Sequence, residues 1–190
     1  CDNTPGGRTC TCAAGLRGDG LTCNDDRWAS WPMPDSATAS CSTGSASAAC
    51  PAPGGLADGQ DGTVSRHPPA YDLSDDFADD RVTALEWQRI TPAFNGDYAA
   101  AVEYCAGLVI EGVSSWRLPT RIELVSIVDY GRANPAIDQS TFLDAVAAPF
   151  WARPAEVDGS GSERAWVVDF TDGATRRLAK TERARVRCVR

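Results

Sequence analysis

The last eight residues alternate between small or apolar side chains and arginines. The small or apolar positions are Ala184, Val186 and Cys188. The charged positions between them are Arg183, Arg185 and Arg187. A two-residue period is typical of a β-strand with one buried face. The pattern therefore predicts a half-buried strand over 183–189 with a cationic stripe on its outer side.

The segment 97–108 has the spacing of a short amphipathic helix. Ala101, Cys105 and Leu108 share one face at a period of 3.6 residues. The acidic Asp97 at its start suits the positive end of the helix dipole, and Gly107 lies near its end. We expect this helix to bury the face that carries Cys105.

A second helix is predicted from the chemistry of its first turn. Pro119 keeps the residue before it extended, outside the helical region. Thr120 and Glu123 form a T-x-x-E capping box. The helix is therefore expected from Arg121 to about Tyr130, where Gly131 ends it.

Strands are expected on both sides of these helices. One covers 81–90, a hairpin joins 164–170 to 174–180 through a turn at 171–173, and 183–189 closes the sheet. The segment 135–149 has no period and is expected to be irregular. Two helices packed on a small antiparallel sheet make an α+β domain.

The composition divides the chain into three parts. Residues 1–23 are rich in Cys and Gly and hold almost no large apolar side chain, so disulfides must stabilise them. Residues 24–65 are rich in Ser, Ala, Gly and Pro and indicate a linker or a surface excursion. Residues 66–190 form the main domain, whose start moves to about Trp28 if Trp28 and Trp31 dock onto it.

The cysteine content indicates an oxidising compartment. Eight cysteines in 190 residues are typical of exported proteins. The sequence has no signal peptide, which fits a mature or excised piece of a longer exported protein, secreted or held at the bacterial cell surface. No apolar run reaches 18 residues, so no membrane span is expected. Cys41 and Cys50 are close enough to staple a small loop.

A disulfide is also predicted within the main domain. Cys105 lies on the inward helix face and Cys188 on the inward face of the last strand. A bridge between them closes nearly the whole domain and stabilises it by about 4 kcal/mol in the chain-entropy model. The alternative is a pair of buried free thiols, which an oxidising compartment disfavours.

The charge distribution and the inventory of motifs exclude several functions. The net charge is −8, which disfavours general nucleic-acid binding. Residues 164–190 nevertheless carry +5 and the rest carries −13. The single histidine, His67, is expected in a solvated loop, so neither a Ser-His-Asp triad nor a zinc site is supported. The chain has no phosphate-binding loop, and no enzyme activity, cofactor or metal is predicted.

The first 23 residues resemble the second half of an epidermal-growth-factor-like module. The matching pattern is C-x-N-T-x-G, then C-x-C, then G-x-x-G-D-G-x-x-C. The resemblance implies that Cys12 pairs with Cys23 and that Cys1 and Cys10 lack the partners of a complete module. An alternative is that Cys1 is the acylated first residue of a lipoprotein.

The main domain resembles the bacterial domain at the C-terminus of the Legionella collagen-like adhesin. The matching segments are 82–89 (VTALEWQR), 101–108 (AVEYCAGL), 116–120 (WRLPT), 123–124, 165–170 (AWVVDF), 172–173 and 186–190 (VRCVR). The resemblance implies a C-type-lectin-like fold, with a disulfide from a helix to the last strand. It also implies glycan binding or adhesion, although the calcium-lectin sugar motifs and a collagen-like stalk are absent.

The candidate ligand-binding residues follow from the cationic stripe and one tryptophan. They are Arg176, Arg183, Arg185, Arg187 and Trp151. Arginine forks grip sulfate or carboxylate, so an acidic or sulfated polysaccharide is the expected partner. The resemblance places Trp151 in the irregular region that carries ligand sites in the lectin-like fold.

Each part of this site has an alternative. The arginines of the stripe can pair with this protein's own carboxylates, which their surplus favours, and the tryptophans can fill a core. The acidic cluster from Asp72 to Asp80 matches no calcium loop and is expected to be solvated. A protein–protein interaction or spacer domain of a multidomain surface protein is the alternative function, with another surface protein as partner.

Overall fold

The computed structural model describes residues 33–38, 40–42, 46–50, 67–91, 93–153 and 163–190, together with the backbone of four short strands before residue 26. The chain divides into two compact units, Cys1–Met33 and Pro34–Arg190. The first unit holds two antiparallel pairs, β1 (Asp2–Thr4) with β2 (Gly7–Thr9) and β3 (Leu16–Gly18) with β4 (Cys23–Asp25). The Cys12–Cys23 pairing and the docking of Trp28 and Trp31 lie outside the described residues.

The second unit has α+β architecture. Its elements are β5 (Ser40–Ser42), β6 (Ser47–Ala49), β7 (Tyr71–Leu73), β8 (Phe77–Asp80), β9 (Glu86–Gln88), α1 (Tyr98–Gly107), α2 (Arg121–Val125), β10 (Pro149–Ala152), β11 (Arg164–Asp169) and β12 (Ala174–Ala179). The pairings are all antiparallel: β5 with β6, a β7-β8-β9 sheet, and a β10-β11-β12 sheet.

Both helices begin at side-chain caps. The Asp97 carboxylate accepts the amide N–H of Ala100 at the start of α1. At α2 the predicted capping box is present, with both of its reciprocal hydrogen bonds. The helix nevertheless ends at Val125 and not near Tyr130, because the Ser126 hydroxyl donates to the Glu123 carbonyl and the chain turns there.

The hairpin β11–β12 forms as predicted, with Gly173 at φ +77° in its turn. The strand predicted over 81–90 shortens to β9. Residues 81–83 form a turn instead, because the buried Asp80 carboxylate accepts the amides of Val82 and Thr83. The local preference of the Asp80 side chain therefore overrides the apolar alternation.

The C-terminal segment inserts between other elements and forms isolated bridges, not a regular strand. Ala184 pairs with Gly96, Arg185 with Phe150, and Val189 with both Trp87 and Arg117. Ala184, Val186 and Cys188 are buried as predicted. The segment therefore contributes to the core along most of its length.

The β10-β11-β12 sheet separates two apolar clusters. One contains Leu124, Phe142, Phe150 and Val168, and the other contains Trp151, Val167 and the Cys105–Cys188 disulfide. The structure contains this disulfide and the Cys41–Cys50 bridge, both predicted from the sequence. None of the described helices has the length and apolar character that a membrane crossing needs.

The polypeptide just after residue 33 is part of this unit. The Asp35 amide donates to the His67 carbonyl at 2.8 Å, and the His67 amide donates to the Asp35 carboxylate at 2.9 Å. The Tyr130 amide donates to the Ser36 carbonyl at 3.0 Å. These bonds attach Asp35 to His67 and Ser36 to the region after α2, and the next residue, Ala37, lines a cavity there.

Candidate functional site

The W-R-L-P-T segment fixes the position of α2. Its Arg117 guanidinium contacts the Glu123 carboxylate through two bonds of 2.7 and 2.8 Å, while the Arg117 amide donates to the Val189 carbonyl at 2.8 Å. Burial alone raises the pKa of Glu123, but hydrogen bonds from Arg117 and Thr120 and the Arg117 charge lower it overall. Arg117 is therefore a structural anchor.

This anchored helix places a cation over the face of an aromatic ring. Arg121, the first residue of α2, has its guanidinium carbon 4.3 Å from the centre of the Trp166 ring. Arg177 lies opposite Trp166 in the β11–β12 register, and its guanidinium carbon is 4.8 Å from the same ring. Two cation–π contacts of this kind contribute about 0.5–1 kcal/mol each at an exposed site.

A further arginine lies beside this pair of contacts. Arg164 is exposed and lies two residues before Trp166, on the same face of β11. We call this surface the cationic face: Arg121, Arg164 and Arg177 around the half-buried Trp166.

The cationic face has the chemistry of an anion-binding surface. Guanidinium groups donate in pairs to sulfate and carboxylate oxygens. Contact with the Trp166 ring restricts the rotamers of Arg121 and Arg177. Ordering the guanidinium groups before a ligand arrives reduces the entropy lost on binding.

The expected outward stripe on the C-terminal segment is wrong for Arg187. This side chain is fully buried, with bonds of 2.6 and 3.0 Å to the carbonyls of Gln88 and Arg89 and a 3.4 Å contact to Asp144. Burial lowers the pKa of Arg187 to about 10, although Asp144 opposes the shift. Its guanidinium holds the carbonyls at the end of β9 inside the protein and is not available to an external polymer.

The other candidate arginines differ in their surroundings. Arg185 is half-buried and donates to the Phe94 carbonyl at 3.1 Å. Arg176 is exposed and pairs with Asp169 at 2.9 Å and with Asp172 at 2.6 Å. Arg183 is exposed. The internal pairing considered in the sequence analysis therefore applies to Arg176, and Arg183 stays a candidate contact at the surface.

Trp151 lies in β10, not in an irregular segment, and it is fully buried. Its indole N–H donates to the Gly96 carbonyl at 2.9 Å, and Tyr98 packs against its ring edge-to-face at 5.6 Å. An indole with its polar atom satisfied inside the core fills space. The structure thus places Trp151 among core residues, away from any surface contact.

The acidic segment is bound to its own neighbours. Arg81 donates to the Asp72 carboxylate at 2.6 Å, and Asp80 is buried against the turn amides described above. Within the described residues no group of three or more His, Cys, Asp or Glu side chains is placed to hold a metal ion. This segment forms the β7–β8 hairpin.

Sequence reasoning did not single out Arg121 or pair Arg177 with Trp166. The capping box places Arg121 at the first position of a helix, and the hairpin turn sets Trp166 opposite Arg177, so each location is readable from the sequence. The packing of α2 onto β11 is a tertiary contact and leaves no local pattern. That contact brings the two arginines to one ring.

Comparison with known families gives one match. The family model described as the Lcl C-terminal domain matches residues 76–190, more than half of the chain. No curated protein matches the chain.

Proposed function

The chain belongs to the Lcl C-terminal domain family, and from this premise we propose that it is a non-catalytic binding module of an exported bacterial surface protein that recognises an acidic extracellular polysaccharide. The observation that carries the proposal is the cationic face, in which two arginines flank Trp166 within 5 Å of its ring centre. A sulfated or uronic-acid polymer offers repeated anions and flat sugar rings to such a surface.

The proposed architecture and compartment agree with this role. Two short helices, small antiparallel sheets and a disulfide between α1 and the C-terminal segment support a C-type-lectin-like fold. Disulfides persist in oxidising compartments, which supports export. We keep the first 23 residues as part of an epidermal-growth-factor-like module and residues 24–65 as the connection to it.

The net charge of the protein does not explain why a polyanion would bind at the cationic face. The protein carries −8 overall, so a polyanion is repelled from most of its surface. Binding is therefore expected to depend on a local cluster and to weaken as salt screens it, over a Debye length of about 8 Å at physiological ionic strength. This salt dependence separates the proposal from an apolar protein–protein contact.

The test is binding of the full chain to immobilised dextran sulfate, with unmodified dextran as the uncharged reference. The double variant Arg121→Gln/Arg177→Gln is expected to lower affinity at least tenfold, since two charge-assisted contacts are removed. Arg81→Gln is the matched control, because Arg81 is exposed, pairs with Asp72 and is not part of the cationic face. Equal binding of both polymers, or equal binding by the double variant, refutes the proposal.

A further inference from the structure

A cavity of about 380 Å³ opens beside β7, between that strand and the irregular segment after α2. Its apolar wall comes from Tyr71 and Leu73 of β7 and from Ile127, Val128 and Phe142. The volume is near the lower end of the range for small-molecule sites, about 300–1,000 Å³. The cavity therefore suits one ring-sized group.

The apolar wall has a fixed part and an accessible part. Phe142 is buried and packs edge-to-face against Tyr71, with ring centres 5.6 Å apart. Leu73 is 49% exposed at the opening. A ring that enters the cavity can thus contact the Tyr71 side chain, which packs on Phe142, and the Leu73 side chain at the rim.

The charged groups of the rim are already paired with one another. The Arg132 guanidinium contacts Asp129 at 2.7 Å and Asp138 at 3.3 Å. Asp138 also accepts hydrogen bonds from Ser140 and Thr141. Two carboxylates and one guanidinium leave a formal charge of −1, which repels sulfate and carboxylate ligands.

The Tyr71 hydroxyl has no hydrogen-bond partner within the described part of the chain. Burial raises the pKa of Tyr71, and the carboxylates of Asp80, Asp138 and Asp129 raise it further. The phenol therefore keeps its proton throughout the physiological range. The hydroxyl is not among the buried side-chain atoms that lack a partner, so it keeps contact with solvent, and an oxygen of a ligand in the cavity can accept its O–H in place of water.

A second hollow, of about 420 Å³, continues the site on the other side of Arg132. It shares Ala37, Asp129 and Arg132 with the first cavity and adds Ser40 and Gly131. The Cys41–Cys50 disulfide holds the hairpin that carries Ser40. The two hollows can therefore hold successive units of one chain-like ligand.

We propose that this cavity binds one sugar ring of a neutral oligosaccharide, with the next ring in the adjoining hollow. The ring stacks on Tyr71 and Leu73, and one of its oxygens accepts the Tyr71 O–H. The site shares no residue with the cationic face and takes a ligand of different charge. The proposal for the neutral oligosaccharide can therefore be right or wrong independently of the polyanion binding proposed above.

The test is an NMR titration of the isotope-labelled full chain with a panel of neutral glucose, mannose and galactose trisaccharides at about 10 mM, which detects weak binding. We expect shifts at Leu73, Ile127 and Thr141 that persist when NaCl rises from about 0.05 to 0.5 M, since no ion pair is formed with the ligand. Tyr71→Phe should weaken binding about fivefold, the net effect of one hydrogen bond.

Each variant in the cavity has a control with a comparable substitution elsewhere, which separates a loss of binding from a loss of folding. Tyr104→Phe removes a hydroxyl that accepts from Gln88 elsewhere, and it should leave the affinity unchanged. Leu73→Ala removes an exposed rim contact and should weaken binding, whereas Val109→Ala, at a position that is even more exposed, should not. Three results each overturn the proposal: no shift with any panel member, shifts centred on Trp166, or full affinity in both Tyr71→Phe and Leu73→Ala.

Discussion

Arg117 and Glu123 form a two-point ion pair, with Nη1 2.7 Å from Oε2 and Nη2 2.8 Å from Oε1. The same Glu123 carboxylate closes the capping box by accepting the Thr120 amide at 2.7 Å. One side chain therefore links the segment paired with Val189 to the first turn of α2. The position of Arg121 over Trp166 depends on this link.

Removing Arg117 should destabilise the domain more than its exposure suggests. Arg117→Met leaves the half-buried Glu123 carboxylate without its two charge-assisted bonds, and such bonds contribute about 1.5–3 kcal/mol. We expect the free energy of unfolding to fall by about 2–3 kcal/mol in urea titrations. Arg81→Met is the control, because its partner Asp72 is exposed and such pairs contribute about 0–1 kcal/mol. Equal losses in the two variants contradict this role for Glu123.

The same pair predicts a dependence of stability on pH. The folded-state pKa of Glu123 is lowered, so its contribution is complete above the unfolded value of about 4.3. That contribution is lost as the pH falls through the lower folded pKa, because the unfolded state binds the proton first. Glu123→Gln should flatten this part of the acid limb in thermal unfolding followed from pH 7 to pH 2. An unchanged acid limb argues against a lowered pKa at this residue.

The two disulfides should contribute unequally. Cys105–Cys188 closes a loop with a sequence separation of 83, and Cys41–Cys50 closes one of 9. The chain-entropy model assigns about 4–5 kcal/mol to the long loop and about 3 kcal/mol to the short one. We expect Cys105→Ala/Cys188→Ala to lower the unfolding free energy more than Cys41→Ala/Cys50→Ala in urea titrations. The reverse order is inconsistent with the longer bridge as the main covalent constraint.

Arg187 should behave as a core residue. Arg187→Met leaves Asp144 and the carbonyls of Gln88 and Arg89 without their donor, and breaking a buried pair costs about 3–5 kcal/mol. Arg183→Met, at an exposed position four residues earlier, should change stability by less than about 0.5 kcal/mol. Urea titration of both variants checks this contrast. A small loss for Arg187→Met is incompatible with the buried position of its guanidinium.

The burial of Arg187 could not be predicted from the sequence. Alternation correctly buried Ala184, Val186 and Cys188, and turn, period and capping signals located β11, β12, α1 and the start of α2. The same rule assigns Arg187 to solvent, because a two-residue period assumes that only one face of a strand is covered. The C-terminal segment is covered on both sides, and Phe142 stacks under the guanidinium at 4.7 Å. Tertiary packing from distant residues decides this burial, and it leaves no trace in the local pattern.

The cationic face could be predicted only in part from the sequence, again because tertiary packing leaves no local pattern. Local chemistry places Arg121 at a helix start and Trp166 in a hairpin strand, but the approach of α2 to β11 is set by side chains far apart in sequence. Trp151 was misassigned because its aromatic type suits a sugar platform as well as a core. The Gly96 carbonyl that satisfies its indole comes from 55 residues away.

Trp166 offers a test in which the formal charge of the protein stays constant. If the ring orders Arg121 and Arg177 for polyanion binding, Trp166→Phe should weaken binding to dextran sulfate about two- to threefold. Trp166→Leu should weaken it further, since cation–π attraction declines from Trp to Phe and is absent for Leu. The slope of affinity against salt should stay the same, because every arginine is retained.

Binding must be compared below the unfolding temperature of each variant, since Trp166 also packs on the cluster of Phe150 and Val168. The control is Arg121→Gln alone, which keeps the ring and removes one charge, so its salt slope should decrease. A Trp166→Leu variant that folds and binds like the original shows that charge alone holds the polymer. In that case Trp166 only packs against α2, and the ordering of the guanidinium groups does not contribute to polymer binding.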